Sequence, residues 1–168
     1  KLGDKRLEGS VFKKSVRGST PKIQGSCQIT KAGEQAECYM LFHLPCPECG
    51  EEQPLKWGGP DLEFGIKWDN NDPKTAHYVC EKCACVIENN KLEWMQENGT
   101  WRCDLTGTNT TDGMEVFDID DQMREAPRSI TYHIWTAYSL FTTWEDIVRD
   151  FLDCKNDRSE LTTFTNTT

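Results

Sequence analysis

No run of apolar residues in this 168-residue chain approaches the ~20 needed to cross a bilayer, and no secretory signal pattern opens it. Hydrophobic residues make up only 36% and mean hydropathy is −0.69, so the sequence does not read as one large apolar core. Histidine is scarce: His43, His77 and His133 are scattered and read as structural, and no Ser/His/Asp arrangement stands out. A G-x-x-x-x-G-K-[ST] phosphate loop is also missing, which excludes nucleotide binding by that device within this stretch. Net basic charge is lacking too. The formal charge of −9 and pI near 4.8 disfavour tight, sequence-independent binding of nucleic acid by this piece.

Aromatic residues and cysteines are plentiful. Six Trp, seven Phe and four Tyr supply large side chains for modest cores joined by polar loops. Basic charge collects at the start, where Lys1, Lys5, Arg6, Lys13, Lys14, Arg17, Lys22 and Lys31 read as a solvated strip. The chain begins at Lys1 and ends in "LTTFTNTT" without a cap, and it reads as a piece of a longer polypeptide.

Nine cysteines are an odd number, so complete disulfide pairing leaves one over, and without a secretory signal a reducing compartment is expected. Three Asn-x-Thr tripeptides, at Asn98, Asn109 and Asn166, carry no weight in that setting. Cys46 and Cys49 lie in "PCPECGEEQP", and thirty residues later Cys80 and Cys83 lie in "YVCEKCACVI". Two C-x2-C turns bring four thiolates to one ion, with backbone N–H groups aimed at the sulfurs. Such a set suits tetrahedral zinc and leaves no open position, which points to a structural role. Gly50 suits the left-handed turn after Cys49, whereas Ala84 suits it less well after Cys83. Cys85 is the alternative fourth ligand; the symmetry of the two turns favours Cys83. A thioredoxin-like redox pair is the rival reading. It needs a helix directly behind the C-x-x-C, and the flanking prolines argue against one.

Periodicity and turn residues predict a helix end over 1–9, a strand within "SVFKKSVRGSTP", a short polar helix before residue 37, and a strand "CYMLFHLPC" that delivers Cys46. A hairpin is expected within 55–80, with Trp57, Phe64, Ile66, Trp68 and Tyr78 placed to cover the metal. A strand is expected at "GTWR", and a hairpin around Met114, Val116 and Phe117. Asp118, Asp120 and Asp121 read as a solvated acidic loop rather than a nuclease site. The clearest helix follows Thr142, read as N-cap with Glu145 completing a capping box, and Trp144, Ile147, Val148, Phe151 and Leu152 form its packing face.

The succession "RGSTPK", "FHLPCPECGEEQPLKWGG", "FGIKW", "YVCEKCACVI", "GTWR", "ITYHIWTAYSLFTTWEDIVRDFL" and "TFTNTT" resembles the large terminase subunit of tailed phages, of the lambda type. The resemblance covers the chain from about residue 11 to its end. It implies an α+β architecture: the end of a P-loop-type ATPase domain at 1–38, a β-rich zinc ribbon at 39–103, and an acidic hairpin and amphipathic helix at 104–168 that lead to a nuclease domain. It implies that Ser19 and Thr20, in "GSTP", match the motif coupling ATP hydrolysis to DNA movement. It also implies metal-binding by Cys46, Cys49, Cys80 and Cys83. The parent is then expected to use ATP and Mg, to package and cut double-stranded DNA as an oligomeric motor, and to work with a small terminase subunit and a portal or procapsid. The expected location is the host cytoplasm, with no membrane. The motor's phosphate loop and nuclease carboxylates match nothing here, so this segment alone is expected to be inert. A different reading is an independent zinc-ribbon adaptor that binds protein or nucleic acid.

Overall fold

The computed structural model describes residues 8–11, 14–20, 27–60 and 62–168. The predicted helix end falls mostly on residues 1–7, which lie outside the described residues. Residues 14–20 carry no strand, contrary to the expectation for "SVFKKSVRGSTP". Within "KKSVRGST", Val16 is followed by Arg17, Gly18 and two small hydroxyl residues, too few apolar side chains for a half-buried face.

A short helix, α1 (Gln28–Glu34), precedes the central strand β1 (Cys38–Pro45). The short strands β2 (Glu52–Pro54), β3 (Gly65–Asp69), β4 (Asp72–Val79) and β5 (Val86–Ile87) follow, then a single 3-10 turn at Asn89–Lys91 and α2 (Leu92–Glu97). Four more short strands come next: β6 (Thr100–Arg102), β7 (Asn109–Thr110), β8 (Val116–Phe117) and β9 (Met123–Arg124). The chain then forms β10 (Ile130–His133), a 3-10 turn at Thr136–Tyr138, α3 (Trp144–Cys154) and α4 (Arg158–Thr167).

The strands form two sheets. In the larger, β1 pairs in parallel with β10 through Cys38↔Ile130 to Leu41↔His133, and antiparallel with β2 and β6; the order then runs β6-β7-β8-β9. In the smaller, β3, β4 and β5 form an antiparallel meander. Asn70 and Asn71, both left-handed with φ of 51° and 57°, close the β3–β4 hairpin. A two-residue loop needs positive φ at both positions to match strand twist, and asparagine tolerates it.

One buried core joins both sheets to α3. Leu44, Leu55, Ile66, Tyr78, Met95, Trp144, Ile147 and Val148 are its large members. The predicted apolar face of α3 is the one buried, against β4. Its cap sits one residue later than the sequence suggested. Thr143, not Thr142, accepts the Asp146 N–H at 3.2 Å, and the Asp146 carboxylate accepts the Thr143 N–H at 3.1 Å. The shorter Asp reaches back as well as the expected Glu145.

Helix α4 was not anticipated. Its side chains Thr162, Thr163, Thr165 and Thr167 donate to carbonyls four residues earlier. Phe164 packs with Trp57 and Phe151, ring centroids 5.7 and 5.8 Å away, and Trp68 joins this aromatic cluster. Threonine has weak helix propensity, so the docking of Phe164 and the Asp157 cap carry the helix. Tyr138 ties the layers together: its hydroxyl accepts the Leu55 N–H and donates to the Phe42 carbonyl, both at 2.8 Å.

Candidate metal centre

Each C-x2-C sequence is the turn of a β-hairpin. Strand β1 ends at Pro45 and hands Cys46 into the first turn, which returns as β2; β4 ends at Val79 and hands Cys80 into the second, which returns as β5. The two turns have the same backbone. Cys46 N–H donates to the Glu51 carbonyl at 2.9 Å, and Gly50 N–H to the Cys46 carbonyl at 2.9 Å. In the second turn Cys80 N–H donates to the Cys85 carbonyl and Ala84 N–H to the Cys80 carbonyl, both at 3.0 Å. Gly50 and Ala84 occupy the same left-handed position, with φ of 74° and 56°. The strained residue expected at Ala84 is therefore present, at a cost of about 1–2 kcal/mol for a side chain in that region.

This backbone aims N–H groups at the sulfurs. Glu48 and Cys49 N–H point at Cys46 Sγ, and Lys82 and Cys83 N–H point at Cys80 Sγ. Glu51 N–H serves Cys49, and Cys85 N–H serves Cys83. The sulfurs of Cys46, Cys49, Cys80 and Cys83 all lie within 4.8 Å of one another. Cys46 and Cys83 are 3.9 Å apart, Cys49 and Cys80 3.8 Å. A tetrahedron with metal–sulfur bonds of about 2.3 Å has edges of about 3.8 Å, so the four thiols fit a metal of zinc's size. Among the described residues no other group of three or more ligating side chains gathers in this way.

Gln53, buried in β2, crosses between the turns. Its amide donates to Cys80 Sγ at 3.1 Å and its carbonyl accepts the Glu81 N–H at 2.9 Å. Burial works against the Cys80 thiolate, but the Cys83 N–H, the Gln53 amide and the Lys82 N–H outweigh it and bring the thiol down to about 6. Burial pushes the Cys46 thiol well up. A bound cation is what keeps such a buried thiolate charged. At the rim Lys56 pairs with Glu81 at 2.7 Å and Lys82 lies 3.9 Å from Glu51, so the lysines nearest the centre are matched by carboxylates.

The rival redox reading finds no support, because each C-x-x-C lies in a hairpin turn rather than at a helix start. Of the five residues expected to cover the centre, Ile66 and Tyr78 share the core with Cys46 and Cys80; Trp57 and Trp68 pack against that core but meet the Phe151 ring edge-on, and Phe64 lies outside it, under Lys56. The aspartates 118, 120 and 121 do not form a metal cluster. Asp118 instead caps its own turn, accepting the Asp120 and Gln122 N–H groups at 2.9 Å and Arg124 Nε at 2.8 Å. Among the histidines, His77 Nδ1 contacts the Thr75 carbonyl at 2.8 Å and His133 stacks on Tyr39. His43 is buried, with Nε2 3.2 Å from the Asp104 carboxylate but not aligned for a hydrogen bond.

A third turn of the same shape escaped the sequence reading. Between β6 and β7, Cys103 N–H donates to the Thr108 carbonyl and Gly107 N–H to the Cys103 carbonyl, both at 2.8 Å, and Gly107 has φ of 71°. Pairing of the flanking residues repeats too: Arg102↔Asn109 here, Pro45↔Glu52 and Val79↔Val86 in the others. Thr106 stands where the second cysteine would be. The signal was "CDLTGT", which matches "CPECGE" in its Cys and Gly spacing.

Ser19 and Thr20 are exposed, far along the chain from the thiols. Ser19 Oγ donates to the Thr20 carbonyl at 3.2 Å, and both residues line an open cleft of about 1290 Å³ beside α1, β10 and the end of α4.

Two hairpin turns bring four thiols around one position that could hold a metal ion, within an α+β fold. The chain belongs to the phage terminase large subunit gpA family, whose ATPase-domain model matches residues 1–101; the endonuclease-domain model of the same subunit matches residues 129–168. It is 54% identical over 167 residues to the terminase large subunit of Enterobacteria phage P21 and 48% identical over 167 residues to that of Escherichia phage lambda. Each match covers 99% of this chain and 26% of the relative, so the chain spans about a quarter of the length of these curated relatives. No solved structure matches it.

Proposed function

We propose that the chain is the middle segment of a DNA-packaging terminase large subunit, in which a structural zinc ribbon braces the passage from motor to nuclease. The observation that carries this is the order of family matches along one chain, ATPase model first and endonuclease model last, with the four thiols, Cys46 to Cys83, in the later part of the ATPase match. In this reading the parent hydrolyses ATP with Mg to move double-stranded DNA, cuts it, and acts as an oligomer with a small terminase subunit and a portal or procapsid in the host cytoplasm. The segments 1–38, 39–103 and 104–168 are the end of the P-loop-type ATPase domain, the ribbon, and the approach to the nuclease. Pairing of β1 with β10 ties the last two into one sheet, which suits a brace better than a free module.

Zinc is held by Cys46, Cys49, Cys80 and Cys83, and supplies charge and cross-linking rather than chemistry on substrate. Gln53 and the turn N–H groups orient the sulfurs, and the aromatic residues behind them keep water out. Ser19 and Thr20 are the coupling pair; that both line the open cleft which β10 also lines supports this role. The matched lysines at the ribbon rim favour a scaffold over a direct grip on DNA.

The test is made in the intact subunit. Replacing Ser19 and Thr20 by alanine should leave ATP hydrolysis but abolish DNA packaging, whereas Cys46→Ser should remove the zinc and abolish both packaging and cutting. Normal packaging by both variants contradicts the reading.

A further inference from the structure

Resting on the zinc-ribbon reading, we propose that Cys85 is a working alternative to Cys83, so that the centre is a five-thiol site able to hold its metal through either. Cys85 Sγ lies 3.3 Å from Cys46 Sγ, closer than Cys83 Sγ at 3.9 Å. Cys85 thus touches one corner of the cluster but is not among the four sulfurs within 4.8 Å of one another, so its side chain must turn inward as Cys83 leaves to complete a thiolate tetrahedron. Its backbone is already fixed at the site: the Cys85 carbonyl accepts the Cys80 N–H at 3.0 Å and its own N–H points at Cys83 Sγ. Cys83 is exposed at the turn's tip, whereas Cys85 is half-buried and packs against the core. The same position carries Glu51 in the first turn and Thr108 in the third, where the carbonyl does the same backbone work without a thiol.

Exchange is balanced. The metal–Cys83 sulfur bond breaks as the metal–Cys85 bond forms, and the proton leaving Cys85 passes to Cys83. Four thiolates bind the metal before and after, and nothing is oxidised. Loss of the exposed Cys83 thiol, by alkylation for example, then leaves the metal in place.

Cobalt(II) is the probe, because its sulfur-to-metal absorption scales with the number of thiolates bound. Wild type, Cys83→Ser, Cys85→Ser and the double variant are titrated with cobalt alone. Both single variants should bind one ion with the wild-type absorption, and the double variant should lose one thiolate's share and bind more weakly. The proposal is overturned if Cys83→Ser already gives the double variant's spectrum. It is equally overturned if Cys83→Ser fails to fold in saturating cobalt while Cys85→Ser folds. Wild type that takes up no cobalt overturns the four-thiolate reading itself. Wild type with one cobalt and a defective Cys83→Ser overturns only the role of Cys85.

Discussion

The turns at Cys46 and Cys80 and the turn at Cys103 share one backbone and diverge in what satisfies their sulfur. The first two face each other, and each offers a second thiol three residues on, so their four sulfurs converge. The third faces no equivalent. Cys103 is buried, yet its sulfur is served from within the protein by the N–H groups of Thr106, Tyr39 and Leu105 and by the Thr106 hydroxyl. Thr106 Oγ1 also lies 3.6 Å from the buried Cys38 sulfur. Burial opposes the Cys103 thiolate, but these donors together lower its pKa. A turn that presents N–H groups to sulfur is therefore a general anion nest; the residue at its fourth position and the presence of a facing turn decide whether it recruits a metal. In the proposed reading one region depends on an ion for its stability, and the other on hydrogen bonds and packing.

The comparison breaks most visibly at Cys80. Cys80→Ser should abolish metal binding and unfold the β1–β5 region. Structural zinc contributes about 10 kcal/mol or more in small metal-dependent domains, more than the Gln53 bonds and rim ion pairs that otherwise link the two turns. Loss of zinc and of the thermal transition, followed by circular dichroism, checks it. A pH titration sharpens the same point. The Cys80 thiol is lowered to about 6, so its contribution is complete above the ordinary thiol pKa of about 8.5 and lost as pH falls through the lowered value. Zinc retention against a fixed chelator should fall as the solution is acidified, because protons compete with the metal for these thiolates.

Cys103→Ala should leave the metal content untouched and cost about 1–3 kcal/mol, because it strands buried donors without desolvating a charge pair. Denaturant unfolding of zinc-loaded protein measures it. The left-handed positions should respond with opposite signs. Gly107→Ala places a Cβ 3.1 Å from Ile119 Cβ at positive φ and should destabilise by about 1–2 kcal/mol. Ala84→Gly should stabilise by about 1 kcal/mol or less, strain relief being partly offset by unfolded-chain entropy. Outside the turns, Thr143→Ala should cost about 1 kcal/mol through loss of the α3 cap, while Thr142→Ala should be near neutral in the same assay.

The convergence of four thiols was legible because two C-x2-C turns form a local signal that survives without knowledge of the fold, and Gly50 marked the turn shape. The third turn was hidden by a single Thr in the second ligand position, which removed the only feature a ligand search can see. Strand β1 and helix α3 showed in their apolar patterning. The parallel pairing of β1 with β10 did not, since it joins residues about ninety apart and no local pattern encodes the register Cys38↔Ile130. Helix α4 was masked for a related reason. A run rich in threonine resembles a loop until Phe164 finds Trp57 and Phe151. Nor could spacing alone choose between Cys83 and Cys85, because both side chains reach Cys46 from one turn.

Zinc content per chain in wild type, Cys46→Ser and Cys103→Ser, purified without added metal, decides whether the facing turns hold an ion. One zinc is expected in wild type and in Cys103→Ser, and none in Cys46→Ser. A wild type without zinc, or zinc that follows Cys103 instead of Cys46, contradicts this.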